Sequence, residues 1–302
     1  MVVLKIHTKY LKVDYKTTLL SKGTLFVFIT STLGLVLPFI LAYNTGGFWL
    51  KRDHFYEQPN VKFKGEYMFY ATTNNLSHPI LCGTNPFYNE LLSPLDMCTN
   101  IKVREIDDNQ DTKIDELHVI IDINLSYNLR ITSFTIVIPL DYTLHTVCPL
   151  NMESGILYQQ FLPVSVSKFF IMSNLEVFQA FPLNCYRKKR LHLYNQPILG
   201  NTDFISLDEI INEYSGRNLS TRLSNIFTNF KTTKSDLFTI DLKVRYAEHK
   251  VVFKPKFWHI VKWAWIQYLA IYIIIAWIIS KIKKYIFDNK LVLFYETPLK
   301  IK

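Results

Sequence analysis

The chain has 302 residues, 49% of them hydrophobic and 20% charged, with four cysteines and a formal net charge of +9. The hydrophobic excess is concentrated in two places, which excludes a many-span channel or transporter and leaves room for one fair-sized domain plus membrane segments. The charge sits at the ends: residues 1–22 hold five lysines against one aspartate, and residues 281–302 six lysines against two acids. A nucleic-acid-binding protein needs its basic face on the folded domain, whereas basic tails beside apolar segments suit anionic lipid headgroups.

In chain order, residues 1–22 read as a basic tail. Gly23–Tyr43 is 21 residues without a charge. It is too long for an ordinary signal-peptide core and lacks a clear small-x-small cleavage site, so it reads as an uncleaved anchor, with a cleaved signal peptide as the rival reading. Pro38 is a kink point in that helix. Trp263–Ser280 is a second uncharged run of 18 residues, preceded by Lys262 and stopped by Lys281, Lys283 and Lys284. With the interfacial residues from Phe257 it is long enough to cross about 30 Å of hydrocarbon, and Trp263, Trp265 and Trp277 lie towards its two ends, where amphipathic rings favour headgroups. The expected organisation is a cytoplasmic tail over 1–22, a transmembrane helix over 23–43, an extracellular or lumenal β-rich domain over 44–256, a transmembrane helix over 257–280 and a second cytoplasmic basic tail over 281–302.

The middle region has no run long enough to span a bilayer. Val61–Tyr70, Leu117–Leu125, Ile131–Leu140, Ser165–Phe178 and Leu237–Phe253 alternate or are rich in β-formers. Leu237–Tyr246 alternates best, with Phe238, Ile240, Leu242 and Val244 on one side. Strands of this kind bury one face against a second layer, so the expected fold is a mostly antiparallel, sandwich-like β-domain. One helix interrupts it. Ser206 followed by Glu209 fits a capping box, Gly216 ends the segment, and Leu207, Ile210, Ile211 and Tyr214 form a stripe that packs on the sheet.

Lysine and arginine counts beside the two spans are nearly balanced and do not orient them. The middle region carries the sequons Asn75-Leu-Ser77, Asn124-Leu-Ser126 and Asn218-Leu-Ser220, and the tails carry none. Cys82, Cys98, Cys148 and Cys185 also lie there, and as two disulfides they admit three pairings. Both features favour a lumenal or extracellular middle with cytoplasmic termini.

Asp107, Asn109, Asp111 and Asp115 stand at relative positions 1, 3, 5 and 9, like the start of a calcium loop, with Ile114 at the inward-packing position. Thr112 replaces the usual glycine and His118 the closing glutamate, so this is not an EF-hand. A weak calcium site competes with a solvated acidic turn, and no other cofactor is expected. Arg187–Arg190 is a basic run read as a solvated loop. No zincin, nucleophile-elbow, phosphate-loop or kinase motif is present, so no catalytic residue and no small-molecule substrate are assigned. Gln267, an amide near the Trp263 end of the second span, either bonds to a polar partner in the first span or in another protein, or lies in the interface and bonds to water or headgroups.

Several stretches carry a resemblance: Gly47–Lys51 with Glu57–Pro59, Asp108–Leu117, Pro255–Trp258, Val261–Lys262, Trp265, Gln267–Tyr268 and Lys281–Lys283. In them the chain resembles the transmembrane protein 231 family nearly end to end, most weakly over about 140–235. Thr112 stands where that family carries glycine, which argues against carrying over a metal role. The resemblance implies two transmembrane helices, a glycosylated extracellular β-domain and membership of the tectonic-like (Meckel syndrome) complex at the ciliary transition zone. There the family maintains the diffusion barrier of the ciliary membrane and supports cilium assembly and Hedgehog signalling, with other transition-zone membrane proteins and B9-domain proteins as partners. The expected function is therefore a non-enzymatic membrane scaffold, with Phe48, Trp49, Trp258, Trp265 and Gln267 as assembly residues. The alternatives are an accessory subunit of a transporter or lipid flippase, and a membrane-anchored lumenal hydrolase.

Overall fold

The computed structural model describes residues 13–16, 18, 21–46, 50–75, 79–84, 98–126, 129–185, 190–200, 206–233, 235–292 and 295–298. The chain divides into two compact units, Met1–Lys51 with Pro255–Lys302, and Arg52–Lys254.

The first unit holds two membrane-spanning helices, α1 (Lys22–Asn44) and α3 (Phe257–Asp288). Ser21 caps α1 by accepting the Thr24 N–H at 3.3 Å. At 1.5 Å per residue the 23 residues of α1 reach about 34 Å and the 32 of α3 about 48 Å. α3 continues beyond Ser280 through Lys281, Lys283 and Lys284. Those lysines end the apolar stretch but are good helix formers, so they do not end the helix. The flanking strands β1 (Val13–Lys16) and β15 (Tyr295–Pro298) pair antiparallel, Val13 opposite Pro298.

The second unit is a two-sheet β-domain. It is entered by β2 (Asp53–Glu57) and left by β14 (His249–Phe253), which pair with each other, Asp53 opposite Phe253. The first sheet runs in the order β12 (Leu219–Lys231), β10 (Lys168–Gln179), β13 (Leu237–Tyr246), β7 (Glu116–Asn124), β6 (Cys98–Ile106). The second runs β11 (Leu191–His192), β9 (Leu150–Phe161), β8 (Ile131–Leu144), β4 (Met68–Thr73), β5 (Ile80–Gly83), with β3 (Asn60–Phe63) also on β8. Most pairings are antiparallel. β10 with β13 and β11 with β9 are parallel, so the sheets are mixed.

The core lies between the sheets. Phe134 of β8 meets Phe69 and Tyr158 of its own sheet and reaches across to Phe169 and Phe238, with ring centroids 5.3–6.1 Å apart. The alternation of β13 has its cause here: Phe238, Ile240, Leu242 and Val244 are all fully buried. Helix α2 (Leu207–Ser215) carries the full Ser206–Glu209 capping box and ends at Gly216. It lays Ile210 and Tyr214 on Met68, Leu81, Val137, Ile198 and Leu199, a second apolar layer.

Candidate functional site

The membrane-spanning pair meets along a stripe of small residues. Thr30, Gly34, Pro38 and Ala42 recur every fourth position of α1 and are buried, facing a helix whose own buried residues are Ala264 and Ile275. Hydrocarbon offers no hydrophobic drive between helices, so close approach and polar contacts hold such pairs. A Cβ placed on Gly34 lies 3.1 Å from Cδ1 of Ile279, and the rings of Phe26 and Phe287 are 6.4 Å apart edge to face. The Tyr268 hydroxyl donates to the Leu35 carbonyl at 3.4 Å. Thr30 turns its hydroxyl back to the Phe26 and Val27 carbonyls of its own helix. Gln267 therefore gains no bond from that hydroxyl, and its Oε1 is buried without a hydrogen-bond partner. Trp265 stacks on Tyr268, and Tyr268 on Tyr272, each at 5.9 Å. Trp258 is exposed. Phe48 and Trp49 lie outside the described residues.

The acidic segment is the connection from β6 to β7. Asp115 accepts the Asp108 and Asn109 N–H groups at 2.9 and 3.3 Å and the Gln58 side-chain amide at 2.7 Å. Asp107 accepts from Thr112 N–H, Asn109 from Asp111 N–H and Asp111 from Lys113 N–H, at 2.8–3.0 Å. Thr112 adopts φ 72°, a left-handed conformation that favours glycine. Main-chain donors of the turn take one oxygen each of Asp107, Asp111 and Asp115, while Oδ1 of Asp107 is buried without a hydrogen-bond partner. Among the described residues no three His, Cys, Asp or Glu side chains converge as a metal site.

Two disulfides tie the β-domain. Cys82 on β5 and Cys98 on β6 link the two sheets, Cα atoms 6.0 Å apart. Cys148, in the β8–β9 turn, joins Cys185 beyond β10, Cα atoms 5.0 Å apart. Asn75, Asn124 and Asn218 are all exposed. Of the basic run only Arg190 is among the described residues.

A buried polar framework completes the domain, and no motif announced it. Glu57 accepts the His145 N–H at 2.8 Å together with the N–H and hydroxyl of Thr146, fixing the β8–β9 turn. Glu153 is paired with Lys64 and accepts the Ile198 N–H, while its carbonyl takes a bond from Arg217 at 2.9 Å. Asp241 is partly desolvated, which opposes its charge, but hydrogen bonds from Lys168 and His118 hold its carboxyl below the ordinary range. The sequence signal for this framework is a lone acid in an alternating strand, as with Asp241 between Ile240 and Leu242. Beside it lies a polar cleft of about 560 Å³ lined by Asn60, Lys62, Asp141, Thr143, His145 and Asn151 among others.

Residues 1–296 match the sequence profile of the family described as Transmembrane protein 231. The chain belongs to the transmembrane protein 231 family. A Gallus gallus relative named Transmembrane protein 231 is 31% identical over 97% of this chain and 91% of its own length. The Homo sapiens relative is 30% identical over 92% and 90%, and the Xenopus tropicalis one 29% identical over 99% and 97%. Among solved structures, a proton-activated chloride channel aligns over 86% of this chain and 98% of its own, at 8% identity and a TM-score of 0.27, too slight a likeness to carry an argument. Membership of the transmembrane protein 231 family, together with the two apolar helices, supports a membrane-associated, non-catalytic role.

Proposed function

We propose that the chain is a non-enzymatic scaffold of the ciliary transition zone, embedded by α1 and α3 and joined there to other membrane proteins and to B9-domain proteins of the tectonic-like complex. Its action is to immobilise: a protein fixed in a membrane assembly restricts lateral diffusion without turning anything over. The single observation carrying the assembly part is the exposure of Trp258 and Trp265, 79% and 61%, on a membrane-spanning helix. Exposed aromatic rings of this kind are favoured anchors for a neighbouring protein. The ciliary part rests on a family match that runs over residues 1–296. The β-domain is assigned to the extracellular side, a reading supported by two disulfides and three exposed sequon asparagines.

The test is localisation of the tagged full chain beside basal-body and axonemal markers. A ring at the ciliary base is the expected result, and a uniform plasma-membrane or reticular signal would overturn it. In the same cells, Gln267→Leu with Trp265→Ala should reduce recovery of partner membrane proteins while still reaching the surface. Unchanged recovery would remove Trp265 and Gln267 from the assembly.

A further inference from the structure

β12 is the outer strand of the first sheet, and its two halves differ. In the half nearest Leu219, helix α2 covers the edge. The Tyr214 hydroxyl accepts the Thr221 N–H at 3.0 Å and lies 3.0 Å from the Thr221 carbonyl, so both outward main-chain groups are answered. In the far half, every residue from Asn225 to Lys231 is exposed. Ile226 is 45% exposed, Phe227 70% and Phe230 50%. This end lies at the start of β10, the length of that 12-residue strand from its other end, or about 40 Å.

The ladder shows which groups are free. The Lys231 carbonyl turns inward to the Ser167 N–H at 2.8 Å. Alternation along an antiparallel strand then points the main-chain groups of Thr228 and Phe230 away from β10. The Phe230 N–H meets its own neighbour, Asn229 Oδ1, at 2.9 Å, and no strand among the described residues pairs with this edge. Bare edges are usually blunted by charge, proline or a covering element. Ser224–Phe230 contains no charged residue and no proline; its one protective feature is the register shift beside Asn225.

Charge selects the occupant. β12 contains no acid. Lys231 stands directly opposite Lys168, whose ammonium is held by Asp241 at 2.9 Å. No ion pair reaches Lys231 among the described residues. A second copy would bring another acid-free strand ending in lysine. We infer that Asn225–Lys231 is a strand-addition site for an extended, aliphatic or aromatic segment of a different protein, with a carboxylate that meets Lys231. Main-chain bonds to the Thr228 N–H and carbonyl and to the Phe230 carbonyl supply affinity, and Phe227 and Lys231 supply selectivity. The inference stands on the β-domain alone and is independent of ciliary placement.

The test uses the purified full chain in detergent and a fluorescent nonapeptide of alternating valine and threonine with glutamate at one end. A lysine-ended peptide is the control. The glutamate peptide should bind saturably and slow amide exchange at Thr228. Thr228→Pro removes an outward N–H without touching the β10 ladder, and it should weaken binding at least about tenfold at unchanged Tm. Phe227→Asp should do the same if the proline variant fails to fold. Lys231→Glu should reverse the preference to the lysine peptide. Absence of saturable binding, or binding indifferent to these variants, overturns the inference. So does a dimer that Thr228→Pro dissociates, which would give the edge to a second copy.

Discussion

The Tyr142 hydroxyl donates to Nδ1 of His249 at 3.1 Å, with the two rings only 5° from parallel. The donor assignment follows from the other nitrogen, because Nε2–H of His249 donates to the Leu175 carbonyl at 2.6 Å and leaves Nδ1 as an acceptor. A residue of β14 thus bonds β10 of one sheet and β8 of the other, and it does so as a neutral imidazole.

Burial pushes the His249 pKa below its ordinary value of 6.5, against smaller opposing effects of the Leu175 carbonyl and Glu176. The unfolded chain therefore takes up this proton more readily than the folded one. The stabilisation is fully present above about pH 6.5 and declines as pH falls below it. Tm measured from pH 7.5 to 5 should fall on acidification. His249→Gln, which can accept from Tyr142 and donate to Leu175, should flatten the slope between pH 6.5 and 5.

Glu153 is buried to 4% side-chain exposure and depends on Lys64 for its counter-charge. Lys64→Met leaves a carboxylate without it and should cost about 3 kcal/mol in denaturant unfolding. Adding Glu153→Gln should recover part of that loss. Equal stability of the single and double variants would show that the charge is not the reason.

Replacing both cysteines of either bridge by serine should lower stability by about 3 kcal/mol. The Cys148–Cys185 pair, which closes 37 residues against 16 for Cys82–Cys98, should cost slightly more. Thermal unfolding with and without reductant measures it: the wild type should shift and the serine variants should not lose the same increment again.

In the membrane unit, Gly34→Leu should force α1 and α3 apart, since a single added carbon already meets Ile279 at 3.1 Å. Phe26→Cys and Phe287→Cys, introduced together, should be joined by a short thiol crosslinker in the otherwise native chain. The yield should drop sharply once Gly34→Leu is added.

What the sequence made legible follows hydrophobic period. β13 and the membrane helices were readable because a single environment dictates every second residue or a whole run. The window Val61–Tyr70 proved to be two strands, β3 and β4, since Gly65 at φ 86° turns the chain between them. β9 and β12 gave no clear signal. β9 buries Glu153, Ser154 and Gly155 in mid-strand, and β12 buries Ser220 and Thr221 before its register shifts beside Asn225. Polar residues buried by distant elements look like loop until those elements are in place. The bare edge of β12 was hidden for the same reason, because an edge is defined by neighbours that are absent.

The pairing of Asp53 with Phe253 has a mechanical meaning. The two connections to the lipid-embedded helices depart from adjacent points, so a pull that separates them loads the β2–β14 ribbon by peeling from its open end, one rung at a time. Leu183 resists by donating to the Val252 carbonyl and accepting from Lys254, at 3.0 and 2.9 Å. Two residues on, Cys185 passes the load covalently to Cys148 and the hairpin beyond it. The clasp that would fail first under tension is thus the one riveted to the body of the domain.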